Sequence, residues 1–128
     1  EEVISKHQEG KVQIVLENIY FDLDKSNIKP DAARILDGLV TLLKKYPAME
    51  IEIDAHTDNR ASNAYNLALS KRRAASTLEY LTVKGIKRKR LTSNGFGESV
   101  PLIKCDSPKV CSEQEHSTNR RCEFIIMK

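Results

Sequence analysis

Met49-Glu50-Ile51-Glu52-Ile53-Asp54-Ala55-His56, continued by TDNRASNAYNLALSKRRA over residues 57–74, is the passage from which the architecture can be built outward. Met49, Ile51, Ile53 and Ala55 alternate with Glu50, Glu52, Asp54 and His56. That period of two, with one apolar and one charged face, describes a strand in a sheet that is wet on one side. The period then changes. Over residues 62–84, Leu67, Ala74, Leu78 and Leu81 fall on one helical stripe, and Gly85 follows as a C′ residue.

The flanking segments continue the alternation of strand and helix. Upstream, Val12, Ile14 and Leu16 alternate with polar neighbours and Ile19-Tyr20-Phe21 follows, so residues 11–21 read as a strand interrupted near Asn18. A turn is expected over residues 22–27. Pro30 suits the first turn of a helix, and Ala33, Leu36, Leu39 or Val40, and Leu43 recur at helical spacing until Tyr46-Pro47 ends it. Downstream, residues 90–95 read as a third strand, residues 97–118 as irregular with one short helix, and residues 121–127 as a terminal strand. The sum is an α+β fold, a mixed sheet with two main helices packed on one face.

With 128 residues, 21 Lys+Arg against 18 Asp+Glu, a net charge of +3, 40% apolar residues and no Trp, the chain describes one domain. A chain of this size buries about two-thirds of its unfolded surface. The near-balanced charge argues against a dedicated nucleic-acid binder. No stretch approaches the roughly 20 apolar residues of a membrane-spanning helix, and residues 1–6 lack the basic start and apolar run of a signal peptide. Five cations in seven residues, Lys84, Lys87, Arg88, Lys89 and Arg90, read as a solvated corner, since no aromatics interleave to stack bases. Gly95-Phe96-Gly97 lacks the third glycine of a dinucleotide fingerprint and reads as a turn. Cys105 and Cys111, six apart around Pro108, either close a small disulfide loop, which implies an oxidising compartment, or remain exposed thiols. Cys122 lies in an apolar alternation and behaves as a small buried hydrophobe.

Period two would place Asp54, His56 and Asp58 in a row on one strand face. A nucleophile is missing from the segment and few aromatics are available to wall a sheltered pocket, so catalysis is not expected. Metal binding would require two further ligands from elsewhere, so no metal or other cofactor is expected either, and His56 reads as a strand-end residue bonded to backbone. The richer constellation is Asp58 ahead of a helix N-terminus with Asn66 and Arg73, seven apart, on one helix face. A carboxylate and a guanidinium held a few ångströms apart suit a zwitterion, Asp58 taking an ammonium and Arg73 a carboxylate. An intramolecular ion pair is the alternative. On the binding reading, alanine at either position would leave the thermal melt nearly unchanged.

FDLDKSNIKP from Phe21, His56-Thr57-Asp58, Tyr65-Asn66, Leu69-Ser70 with Arg73-Ala74, Gly95-Phe96-Gly97-Glu98 and Asn119-Arg120-Arg121 together resemble the C-terminal peptidoglycan-binding domain of outer-membrane protein A. That family also includes the peptidoglycan-associated lipoprotein and the flagellar-stator anchor. The motifs fall within residues 18–128, leaving residues 1–17 as an N-terminal extension and the start of the first strand. The resemblance implies a βαβαβ-type domain that binds peptidoglycan non-covalently through the diaminopimelate of its peptide stem. It also implies no enzymatic activity, and a periplasmic location in an outer-membrane protein or lipoprotein. Asp58 and Arg73 then look like the principal ligands, assisted by Asn66, with Asn27 as a loop contact and Arg120 or Arg121 reaching a further carboxylate. The family commonly has Gly where this chain has Ala61, which disfavours a positive φ there, and Arg60 adds a cation beside Asp58. Oligomeric state, a homo-oligomer included, is left open.

Overall fold

The computed structural model describes residues 3–8 and 11–127, with side chains from Leu16 onward. The elements follow the alternation of periods: β1 (Val3–Gln8), β2 (Lys11–Leu16), β3 (Ile19–Tyr20), α1 (Pro30–Lys45), β4 (Ile51–Ala55), α2 (Asn63–Val83), β5 (Leu91–Gly95), α3 (Glu113–Asn119) and β6 (Arg121–Ile126). Residues 1, 2, 9, 10 and 128, the outer part of the expected N-terminal extension among them, lie outside the described residues.

The main sheet runs β3-β6-β4-β5. β4 and β5 are parallel, joined by α2, while β6 is antiparallel to both β4 and β3 and separates them. The sheet is therefore mixed. α1 and α2 pack against it, α1 through Leu36, Leu39, Val40 and Leu43, α2 through Ala74, Leu78 and Leu81, onto Ile19, Ile51, Ile53, Ala55, Cys122 and Phe124. Fully burying one such aliphatic side chain contributes roughly 1.5–3 kcal/mol, and these residues make one continuous core.

The strand expected over residues 11–21 is two strands in two sheets. β2 pairs antiparallel with β1, from Val3↔Leu16 to Gln8↔Lys11, and only β3 joins the main sheet. The break falls at Glu17-Asn18. The row of Asp54, His56 and Asp58 also breaks, because β4 ends at Ala55. His56 N–H still bonds Arg121 O at 2.8 Å, but Thr57 N–H turns to Gly97 O at 2.9 Å. Asp54 remains on the sheet face opposite the helices, where Asn94 Nδ2 donates to it at 3.3 Å.

Leu67 leaves the predicted core stripe and is 42% exposed. From the N-terminal half of α2 a buried polar stripe runs through Asn66, Ser70 and Arg73 to Thr77, joined by Leu69. Those polar positions recur every three to four residues and so share a face. The C-terminal half of α2 covers hydrocarbon, and the N-terminal half covers a polar recess. Ser62 starts this helix, its Oγ accepting from Tyr65 N–H at 3.1 Å. Gly85, at φ +105°, ends it as anticipated. Gly95 allows close approach: a Cβ there would stand 2.6 Å from Lys71 N and Ser70 Oγ.

The basic corner is not wholly solvated. Arg90 Nη2 donates to Leu43 O at 2.7 Å and Tyr46 O at 2.8 Å, and its Nε donates to Met49 O at 2.9 Å. It thereby satisfies carbonyls at and beyond the end of α1, where a helix leaves acceptors unpaired.

Candidate functional site

At the end of β4 the chain leaves the sheet and passes over the N-terminus of α2, enclosing a recess of ≈ 170 Å³. Asp58, Asn66, Arg73 and Arg120 line it, together with Arg60, Ala61, Thr57, Leu69, Leu23 and Asp24. The fold therefore brings together four of the six residues that sequence reasoning proposed. Asn27 is exposed and outside the lining. Arg121, the first residue of β6, is outside it as well. Its guanidinium holds Glu123 Oε2 at 2.9 Å and Val100 O at 2.9 Å.

Arg73 is completely buried. Its Nε donates to Lys25 O at 2.9 Å, Nη1 to His56 O at 3.0 Å and Nη2 to Asp22 O at 3.0 Å, and the Phe21 ring centroid lies 5.1 Å from the guanidinium carbon. Burial, then the positive charge of Arg120, lower its pKa to about 10, so it remains a cation at neutral pH. Among the described residues it forms no ion pair. Three carbonyl dipoles solvate its charge. Those three bonds tie the turn after β3 and the end of β4 to α2, which argues against the expectation that Arg73→Ala would leave the melt nearly unchanged.

Asp58 is paired, but not with Arg73. Its Oδ1 accepts from Arg60 N–H at 3.1 Å, and its Oδ2 accepts from Arg60 Nη2 at 2.7 Å, Arg60 Nε at 3.2 Å and Arg120 Nη1 at 3.3 Å. Burial alone would raise the carboxyl pKa; the bonds from Arg60 and Arg120 outweigh it and hold the group below the usual carboxylate range. Arg120 also donates from Nε to Phe21 O at 2.8 Å and from Nη2 to Glu113 Oε2 at 3.1 Å. Asn66 Nδ2 donates to Glu98 Oε1 at 2.7 Å and Ala61 O at 3.2 Å. Ala61 needs no special backbone, since among the described residues Asp24, at φ 60°, is the only non-glycine with positive φ.

Glu113, Asp24 and Glu98 are site residues that sequence reasoning missed. Asp24 and Glu98 stand inside two of the motifs that carry the resemblance but were given no site role; for Glu113 the signal is the capping box that Ser112 and Glu115 form at the start of α3, a helix entrance 53 residues beyond Arg60. The Cys105–Cys111 disulfide forms, with Cα atoms 5.8 Å apart. Asn59 Nδ2 donates to Cys105 O at 3.0 Å, so the bridged loop is fastened to the loop that carries Asp58.

His56 departs from the expected backbone-bonded histidine. It is buried and stacked on Phe96, with ring centroids 5.4 Å apart, and neither ring nitrogen has a hydrogen-bond partner among the described residues. Burial and the charge of Arg121 lower its pKa to about 4 against the opposing pull of Glu123, so the ring is neutral at pH 7. Among the described residues no three His, Cys, Asp or Glu side chains group to hold a metal ion, and no helix is long and apolar enough to cross a membrane.

A mixed four-stranded sheet with two long helices on one face, and a charged recess between the end of β4 and the start of α2, defines an α+β domain of the OmpA-like type. The chain belongs to the OmpA family, which matches residues 20–115. It is 36% identical over 110 residues to the peptidoglycan-associated lipoprotein of Brucella melitensis, covering 86% of this chain and 62% of that one. It is 38% identical over 119 residues to a Gloeobacter violaceus protein named photosystem I P700 chlorophyll a apoprotein A2, covering 91% of this chain but 14% of that one. The chain thus spans well under the full length of these curated relatives. The crystal structure of the peptidoglycan-associated lipoprotein from Burkholderia pseudomallei superimposes with a TM-score of 0.79 at 25% identity, covering 86% of this chain and 89% of that one.

Proposed function

We propose that this domain binds peptidoglycan non-covalently and without cleaving it, gripping the amino-acid head of the stem's diaminopimelate in the recess. Arg73, helped by Arg120, takes the head-group carboxylate; Asp58 takes the ammonium; Asn66 positions the loop between them. The observation that carries this reading is the fully buried Arg73 guanidinium, which has no carboxylate partner among the described residues and borders a cavity that Asp58 shares. A carboxylate in that cavity would supply a directly bonded counter-charge through short, charge-assisted bonds. The printed names of the lipoprotein relatives support the choice of polymer. On the same basis we place the domain in the periplasm, as the wall-facing part of an outer-membrane protein or lipoprotein. The disulfide agrees with an oxidising compartment.

Charge-assisted hydrogen bonds contribute roughly 1.5–3 kcal/mol each before ordering costs, so a few of them give affinities from millimolar to micromolar. Many copies on a polymeric mesh raise the effective affinity without new contacts. The test is an NMR titration with a stem peptide containing diaminopimelate, repeated with lysine in its place. Lysine keeps the amine and lacks the carboxylate, so binding should be lost; equal binding of both peptides would refute the site. Incubation with purified sacculi should sediment the domain and release no muropeptides.

A further inference from the structure

Asp58 is already occupied by a cation of its own chain. The Arg60 side chain is 26% exposed, above an Asp58 side chain that is 5% exposed and beside a Glu113 side chain that is 64% exposed. Its guanidinium spans both: Nη2 and Nε reach Asp58 Oδ2, at 2.7 and 3.2 Å, and Nη1 reaches Glu113 Oε1 at 2.7 Å. An ammonium arriving at Asp58 meets a like charge already seated on its carboxylate. Arg60 need not be expelled to water, because one of its ends already rests on an acceptor at the rim. Hydrogen bonds to Arg60, then to Arg120, hold the Glu113 carboxyl below the usual range, so that acceptor stays ionised.

We propose that Arg60 is an intramolecular competitor for the ammonium of the ligand, that it withdraws from Asp58 onto Glu113 when the ligand enters, and that it thereby sets the affinity and ammonium selectivity of the recess. The proposal rests on the zwitterion reading given above. Binding is then an exchange of one cation for another at Asp58. Deleting Arg60, although it lines the cavity, should strengthen binding, opposite in sign to the loss expected on removing a ligand contact.

The experiment titrates the diaminopimelate stem peptide, and the same peptide with its distal amine acetylated, into the wild-type chain and into Arg60→Ala and Arg60→Gln. Glutamine keeps bulk and a hydrogen-bond donor without the charge, and melting curves confirm that each variant is folded. For the free-amine peptide, Arg60→Ala should tighten binding about five- to tenfold. For the acetylated peptide it should change nothing, a distinction that general loosening of the loop would not produce. Glu113→Gln should weaken free-amine binding in the wild-type background and do so less in Arg60→Ala, a coupling that a double-mutant cycle reads directly. Unchanged or weaker binding by both position-60 variants, or an equal gain for both peptides, overturns the proposal. If the wild-type chain does not distinguish diaminopimelate from lysine, the zwitterion reading itself fails and this proposal with it. If it does distinguish them and the position-60 variants show no gain, the site stands and Arg60 is only a structural clamp.

Discussion

Replacing Arg73 by alanine tests whether the guanidinium serves the fold as well as the site. The substitution removes a charged donor from three carbonyls, Asp22 O, Lys25 O and His56 O, all within 3.0 Å, from a side chain with no solvent exposure. Bonds to a charged group are worth about 1.5–3 kcal/mol each, so the gross loss is about 4.5–9 kcal/mol. The adjoining ≈ 170 Å³ recess admits water that can re-satisfy part of this. The net is about 3–5 kcal/mol, at and below the lower end of that gross range, because the deletion strands neutral carbonyls rather than a charge. At about 2.1 cal/mol/K per residue, 128 residues give an unfolding entropy of about 0.27 kcal/mol/K. The melting temperature should therefore fall by about 11–19 °C, and Arg73→Lys, which can keep one donor, should fall between. Differential scanning calorimetry at pH 7 in the absence of ligand measures it. A fall of less than about 4 °C, equivalent to about 1 kcal/mol, would refute the structural role.

Three further outcomes follow, from Asp54 on the opposite sheet face, from His56 and from the bridged loop. Asp54 has a pKa of about 6, raised by burial and by Glu52, so it binds a proton in the fold that the unfolded chain lacks between pH ~4 and 6 and opposes stability once ionised. Asp54→Asn should then stabilise the protein by about 1–3 kcal/mol at pH 7.5 and little at pH 4, measured by urea midpoints. His56, lowered to about 4, has the reverse linkage, so with Asp54 removed the remaining stability should rise with pH from about 4 to 6.5; a flat profile in that variant would contradict the His56 assignment. Reduction of the Cys105–Cys111 bridge should cost about 2 kcal/mol and, by freeing the loop that Asn59 holds, weaken stem-peptide binding. Unchanged affinity on reduction would show that the loop does not shape the recess.

The elements legible in the sequence are those whose side chains obey a period. β4 and β6 alternate, α1 keeps its apolar stripe, and Gly85 stops α2 where a left-handed residue is required. β1 was not legible, because after Val3-Ile4 its residues Ser5, Lys6, His7 and Gln8 are all polar and carry no alternation. Its pairing with β2 is what detaches β2 from β3. The spacing of Asn66 and Arg73 announced a shared helix face, but it did not announce that Leu67 would leave the core while a polar stripe was buried. Asp58 was legible as a carboxylate at a helix entrance. Of its partners, Arg60 stood in view as a neighbouring cation, but Arg120, which reaches Asp58 from 62 residues away, did not, nor did Glu113, which reaches Arg60 from 53 residues away, because ion pairs have no period. The twin arginines of residues 120 and 121 looked equivalent as letters, but Arg120 caps α3 and turns to Asp58 and Glu113 while Arg121 opens β6 and turns to Glu123 and Val100.

The contacts of Arg73 and Arg120 also bear on how such a domain carries tension. β3 is secured to the sheet by only two cross-strand pairs, Ile19↔Cys122 and Tyr20↔Arg121. Just beyond it, Phe21 O is held by Arg120, and Asp22 O and Lys25 O by Arg73. A pull applied upstream of Ile19 is resisted first by this short edge and then by two guanidinium latches that also wall the recess. The strand that would peel first is thus riveted by the groups assigned to grip the wall polymer, and a carboxylate seated against them would tighten the joint through which the load passes.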